Sequence, residues 1–416
     1  MNVRAKRWFA FAMGVALVVC ACLPVAASGV IPGLKLFSGE ETVTVPKSEY
    51  ERLQRFTRLD EIIRNVEKYY IEEPNVDDML EFAAETILYS LDDPYTTYIP
   101  PAGMEQQAEE RSGTYAGVGM QLIEDAEDHL ITVIRVFVGS PAERAGVQRG
   151  DKVVAVDGEP YFGTTMSQAV DAMRGEPGTD VTVTYVRGDG EPFDVLLTRE
   201  TVEINNVEYE MLEDSIGYVL LYEFTGTDVR GFKSALDFFA ENGARGIVID
   251  LRDNPGGYVA DAMGIADELL DEGLVMYTED RYGVRSDYLS TDGKIDIPLV
   301  MLVNEYSASA SEILTGAIKD RQAGKVVGVK TFGKGIVQEM RTFPSDGAGM
   351  LLTTMRYYTP SGVCIHGVGI EPDVVVEQPE ELRVRGTAVP HEEDVQLLRA
   401  VEVLEEEIAG KGKKKK

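Results

Sequence analysis

Three serines, Ser307, Ser309 and Ser311, alternate with alanines where a short apolar run gives way to helical spacing, and an isolated lysine, Lys334, follows between Gly333 and Gly335. Residues 298–303 read as a strand, Asn304-Glu305-Tyr306 interrupts it, and Ile313, Leu314, Ala317 and Ile318 recur at helical intervals. The serines therefore crowd a helix N-terminus. Backbone N–H groups are unpaired there and the helix dipole is positive, so an oxyanion formed from a carbonyl would meet donors already in place. A serine in this position often does no more than cap the helix. The glycine-flanked lysine points further, to a serine nucleophile with a lysine base. An amine with a reference pKa of about 10.4 accepts protons near neutrality only if burial holds it uncharged. Gln338 follows at a spacing that shares a face with Lys334 in either a strand or a helix, so its amide could orient the amine.

The segment Arg252-Asp253-Asn254-Pro255-Gly256-Gly257 follows a buried strand over 246–251 and leads into a helix. Its consecutive glycines suit a tight turn with positive φ, and they also place bare N–H groups at the sheet edge where the serines emerge. A triad built on histidine is not favoured. Of the three histidines, His129 lies in a strand-rich region, His391 near the C-terminus and His366 in a turn-rich segment. The run from Gly328 to Gly335 has the spacing of a phosphate-binding loop, but Gly335 stands where a magnesium-binding Ser or Thr is required.

With 416 residues, 44% of them hydrophobic, the chain is long enough for two or three domains with a sizeable core. Its net charge of −31, from 71 acidic against 40 basic residues, excludes a broad basic surface for nucleic acid. The one basic cluster is Lys411-Gly412-Lys413-Lys414-Lys415-Lys416, expected to be a solvated, disordered tail. Residues 1–28 carry Arg4, Lys6 and Arg7 ahead of an apolar stretch ending in Val25-Ala26-Ala27-Ser28, the pattern of an export signal or, given the length of the stretch, a membrane anchor. Cys20 and Cys22 fall inside that segment, which leaves Cys364 alone in the rest of the chain and rules out a disulfide within it.

Residues 29–46 read as a linker. Helical periodicity then runs from about residue 48 to 70, and a second helix is predicted over 76–91, ended by Asp92-Asp93-Pro94. The apolar stripe of these helices, in a helical region over 47–112, reads as a packing face or a homodimer face. From 113 to 200 the texture changes to short strands and turns. Here the chain resembles a PDZ domain, through Gly117-Val118-Gly119-Met120, Ser140-Pro141-Ala142, the run from Gly150 to Gly158, and Arg174-Gly175. A glycine-rich loop of this kind turns successive N–H groups toward one chain-terminal carboxylate while the adjoining strand pairs with an extended peptide. From 201 to 382 strands and helices alternate as in an α/β core, and a closing helix over 394–408 lies within the C-terminal segment 383–416.

Taken together, Ser307-Ala308-Ser309-Ala310-Ser311-Glu312, Phe332-Gly333-Lys334-Gly335, Gln338, the Arg252 to Gly257 segment, Leu91-Asp92-Asp93-Pro94-Tyr95 and Gly369-Ile370-Glu371-Pro372-Asp373 resemble the carboxyl-terminal processing peptidases, or tail-specific proteases. The resemblance implies an α/β multidomain protein whose protease core is related to the crotonase and caseinolytic-protease superfamily, with a PDZ domain ahead of it. It implies Ser309 as nucleophile, Lys334 as general base, Gln338 as its orienting partner, and oxyanion donors from Ala310 and from Gly256 or Gly257. It also implies Arg174 as a reporter of bound ligand. The expected activity is that of an exported, metal-independent serine endopeptidase needing no cofactor. Its substrates would be proteins or peptides with a free C-terminus, held at Gly117, Val118, Gly119 and Met120. The competing reading is a tail-binding adaptor that keeps the PDZ domain without the chemistry.

Overall fold

The computed structural model describes residues 44–414, apart from 105–106, 108–112, 126–127, 292, 294, 380–381 and 383–388. The predicted signal or anchor segment and most of the linker lie outside the described residues. The chain divides into two compact units, Met1–Val76 and Asp77–Lys416. The described part of the first consists mainly of the helices Lys47–Leu53 and Thr57–Tyr69, joined by a 3-10 turn, and it leaves Leu53, Phe56 and Ile62 exposed. Among the described residues no helix is long and apolar enough to cross a membrane.

The second unit begins within the helix Val76–Tyr89, which stops short of the predicted end because Asp92 takes a positive φ of 55°. A five-stranded antiparallel path follows, in the order Met120–Glu124, Ile131–Val136, Lys152–Val156, Asp180–Val186 and Phe193–Thr198. Strict alternation buries Ile131, Val133, Val181, Val183 and Tyr185 on one face, against Ala169 and Met173 of the helix Met166–Met173. Met120–Glu124 is the outer strand, so one of its edges is open to an added peptide strand.

The core sheet runs Val207–Leu212, Ile216–Leu221, Gly246–Asp250, Leu299–Val303, Gly324–Gly328 and Val374–Val375, parallel throughout except for its first strand. Every residue of Gly246–Asp250 and Leu299–Val303 is buried, which is why both segments read as unbroken apolar runs rather than alternating ones. One face packs against the helices Asp228–Glu241, Val259–Leu269 and Ala310–Asp320, and the other against the helix Val395–Lys414 through Leu397, Ala400, Val403 and Leu404. Each fully buried Leu, Ile or Val contributes roughly 1.5–3 kcal/mol. That last helix passes the expected stop at Ile408 and continues through Gly410 into the stretch predicted to be a disordered tail, because no proline or positive-φ glycine ends it.

The parallel register of Ile247 with Leu299 brings the carboxyl ends of these two central strands level. The segment from Arg252 to Gly257 and the one from Asn304 to Ser309 therefore leave the sheet side by side, at the edge where open α/β sheets bind ligands. A second, antiparallel sheet carries Ile336–Thr342, the strand that begins two residues after Lys334, paired with Gly349–Tyr358.

Candidate active site

Ser309 ends the loop after Leu299–Val303 and starts the helix Ala310–Asp320 with φ 55° and ψ −113°. A non-glycine residue at positive φ costs of order 1–3 kcal/mol and persists only where the surroundings impose it. They do so here. Ser309 N–H donates to Glu312 Oε2 at 3.0 Å, and Tyr357 Oη donates to the Ser309 carbonyl at 3.0 Å. The flanking serines are structural: Ser307 Oγ donates to the Leu251 carbonyl at 2.7 Å and Ser311 Oγ to the Asn254 carbonyl at 3.0 Å, both fully buried. Only Ser309 of the three lines a cavity of about 760 Å³, together with Lys334, Gln338 and Gly257.

The glycine pair meets two separate requirements of space. A Cβ on Gly256 would lie 2.7 Å from Ser309 Cβ and 2.8 Å from Ala310 N, and one on Gly257 would lie 2.0 Å from the Phe224 carbonyl oxygen. Gly256 N–H is committed to Asn254 Oδ1 at 2.9 Å. Gly257 instead lines the cavity, and neither its N–H nor that of Ala310 finds an acceptor among the described residues.

Lys334 lies in the loop before Ile336–Thr342, not in a strand or a helix, so the shared-face spacing with Gln338 does not apply. Both side chains reach the cavity all the same. The Gln338 amide Nε2 is buried and has no hydrogen-bond partner among the described residues. Burial pushes the Lys334 amine below the usual lysine range, while the Asp93 carboxylate pulls it back up. The amine sits 4.7 Å from the centroid of the Tyr95 ring. Asp93 builds the turn that presents this ring, accepting Tyr95 N–H at 3.0 Å and Thr96 Oγ1 at 2.7 Å.

Sequence reasoning gave Glu312 no role, yet its fully buried carboxylate joins the two halves of the site. Oε2 accepts Ser309 N–H and also Lys334 N–H at 2.8 Å, and Oε1 accepts Thr331 Oγ1 at 2.5 Å and Gly333 N–H at 2.8 Å. The signal was present, because Ser309-Ala310-Ser311-Glu312 is the spacing of a helix capping box. His366 stacks edge-on to Tyr95 with ring centroids 6.4 Å apart, and none of the three histidines lines the cavity that holds Ser309.

The same cavity extends into the groove between Met120–Glu124 and Met166–Met173, where Gly117, Val118, Met120, Val170, Met173 and Arg174 line it. Gly119 completes the loop with φ 91°; a Cβ there would overlap Ser140 Cβ at 2.1 Å, and its carbonyl accepts Phe137 N–H at 3.0 Å. The Val118 and Gly119 carbonyls are thus taken up within the domain, while the N–H groups of Gly119 and Met120 donate to Tyr115 Oη, on a residue that lines the same cavity. A separate cavity of about 870 Å³, lined by Arg135, Arg149, Tyr222, Arg252 and His391, contains neither Ser309 nor Lys334.

A peptide groove that runs into a cavity shared by a strained serine and a desolvated lysine defines a protease of the serine class. Known proteins similar to this chain fall in the same class. Residues 215–376 match peptidase family S41, and residues 132–187 match a PDZ domain. A carboxy-terminal-processing protease of Bartonella bacilliformis is 33% identical over 369 residues, covering 86% of this chain and 83% of that protein. A carboxyl-terminal-processing protease of Synechocystis sp. is 37% identical over 303 residues, 71% of each chain. Among solved structures, a photosystem II D1 C-terminal processing protease superposes with a TM-score of 0.50 at 29% identity, covering 82% of this chain and 97% of its own. The chain belongs to the carboxyl-terminal processing proteases of peptidase family S41, and it is a serine-type endopeptidase carrying a PDZ domain.

Proposed function

We propose that this protease captures the free C-terminus of a protein in its PDZ groove and cleaves nearby through an acyl-enzyme on Ser309. Lys334, whose amine burial holds below the usual lysine range, takes the Ser309 hydroxyl proton in its neutral form as Oγ attacks the peptide carbonyl. The resulting oxyanion is held by the N–H groups of Gly257 and Ala310. The protonated lysine then returns its proton to the leaving amine, and water, deprotonated by the same lysine, releases the shortened chain. Gln338 orients the amine through its amide oxygen. Gly117, Val118, Gly119 and Met120 supply the carboxylate cradle, and Arg174 at the end of the Met166–Met173 helix borders it. The observation that carries this reading is the single cavity lined by both Ser309 and the Gly117 to Met120 loop. Export by residues 1–28 belongs to the same proposal.

The test is cleavage of an unfolded protein bearing an apolar free C-terminus, followed by mass spectrometry. Shortened products that disappear when the terminus is amidated fit the proposal. Intact substrate at saturating binding would favour the non-catalytic adaptor, and equal cleavage of acid and amide would remove tail recognition from the account. Activity should also survive EDTA and His366→Ala.

A further inference from the structure

The carboxylate cradle of the tail groove already holds an oxygen of this chain. The N–H groups of Gly119 and Met120 donate to Tyr115 Oη at 3.1 and 3.2 Å. The ring curls back onto its own loop only because Gly117 has no side chain, since a Cβ there would lie 2.6 Å from Tyr115 Cε2. Phe137 meets the ring edge-on with centroids 6.3 Å apart, and the Arg174 guanidinium lies over it at 5.5 Å. The Tyr115 backbone is fixed by pairing of Thr114–Gly117 with Glu200–Glu203. Only the side chain has to move to vacate the cradle.

We propose that Tyr115 is an internal stand-in for the substrate's terminal carboxylate, occupying the cradle in the free enzyme so that an arriving C-terminus must displace it. The inference rests on the tail-binding reading given above and adds to it the residue that sets its threshold. Burial raises the Tyr115 pKa, so the phenol stays neutral. Hydrogen bonds to an ionised acceptor are about twice as strong as those to a neutral one, so a carboxylate displaces the phenol with a net gain. An amidated or internal chain segment offers the same N–H groups an acceptor no better than the one they have. Selectivity for free C-termini thus comes partly from self-competition, and apparent affinity is lowered by the fraction of time the cradle is filled.

The experiment uses the full chain carrying Ser309→Ala, so that nothing is turned over, and measures by fluorescence anisotropy its binding of one apolar-ended peptide as free acid and as amide. The parent should prefer the acid, and adding Tyr115→Phe should tighten acid binding by about tenfold. Unchanged or weaker acid binding in that variant, with the parent still preferring the acid, overturns the role of Tyr115 and leaves the tail-binding reading standing. A parent that does not distinguish acid from amide overturns both. Should the Tyr115→Phe chain fail to fold, the parent answers the question alone. Titration with the acid should shift the Tyr115 ring resonances along with the Gly119 and Met120 amides, whereas shifted amides beside an unmoved ring would overturn the proposal.

Discussion

Glu312 fixes the relative position of the serine and the lysine, because one of its carboxylate oxygens receives the backbone N–H of both. An amide in its place would turn an NH₂ group toward two of the four donors, leaving buried groups unpaired at about 1–3 kcal/mol each. Glu312→Gln should therefore lower kcat by roughly a hundredfold, the equivalent of about 2.7 kcal/mol, while peptide affinity in the PDZ groove stays unchanged. An unaltered kcat in a folded variant would reduce Glu312 to core filling. The proposed base, Lys334, offers a pH test. Burial lowers the Lys334 pKa and Asp93 raises it, so the rate should fall as pH drops through that pKa and the amine is protonated. Asp93→Asn removes the charge that favours the ammonium form, and the acidic limb of the kcat/KM profile should move to lower pH; movement to higher pH would contradict the assignment. At this scale the sequence pointed to Ser309, Lys334 and the glycine pair. It offered Tyr95 only as part of a motif and did not single out Tyr115, because neither the meeting of Tyr95 with the loop residue Lys334 nor the folding of Tyr115 back onto Gly119 and Met120 leaves a periodic signal, and the periodicity argument for Gln338 assumed regular structure at Lys334, which lies in a loop.

Two buried charge clusters hold the elements that carry the site. Arg252 bridges Asp250 and Asp394 at 2.6 and 2.7 Å, tying the loop that leads to Gly257 to the C-terminal helix, and Asp394 also caps that helix by accepting Leu397 N–H at 3.0 Å. Burial alone would raise the Asp394 pKa, but Arg252 and these donors hold it below the usual carboxylate value. Its stabilising contribution is therefore present above the unfolded-state pKa and is lost as pH falls through the folded one. Asp394→Ala leaves a buried guanidinium short of a partner and should destabilise the fold by about 3 kcal/mol, read by denaturant unfolding. The second cluster acts in the opposite sense. Asp228 and Asp261 are buried beneath the turn that pairs Phe224 with Gly257, and burial, reinforced by the charge of Asp261, raises the Asp228 pKa to about 6. The folded chain holds this proton more tightly than the unfolded one, so stability from Asp228 is full below about pH 4 and is lost as pH rises through 6. Asp228→Asn should raise stability by about 1–2 kcal/mol at pH 7.5, a gain that vanishes toward pH 4. A gain of equal size at both pH values would contradict the titration. The core strands were legible as elements because burial on both faces gives unbroken apolar runs. The C-terminal helix was read too short because its last turns lack an apolar stripe, and the stitch through Arg252 was invisible because its partners stand far apart in sequence.

Across the larger unit, the PDZ domain is pinned to the core at Arg135, only 5% exposed, which donates to Asn206 Oδ1 at 3.0 Å, to Glu208 and to the Asn205 carbonyl, and stacks 3.7 Å over Tyr222. The groove and Ser309 line one cavity in this unit, the juxtaposition on which the proposed cleavage close to a captured tail rests. Motif order along the chain announced both modules but not their shared cavity, which arises from contacts between them. The account stands on one nucleophile and one base acting together, and steady-state kinetics of Ser309→Ala, Lys334→Ala and the double variant on a free-acid protein substrate measure that directly. Each single variant should lose at least about a thousandfold in kcat, with no further loss when they are combined, because neither group works without the other. Near-normal turnover by Ser309→Ala, or losses that multiply in the double variant, would contradict it.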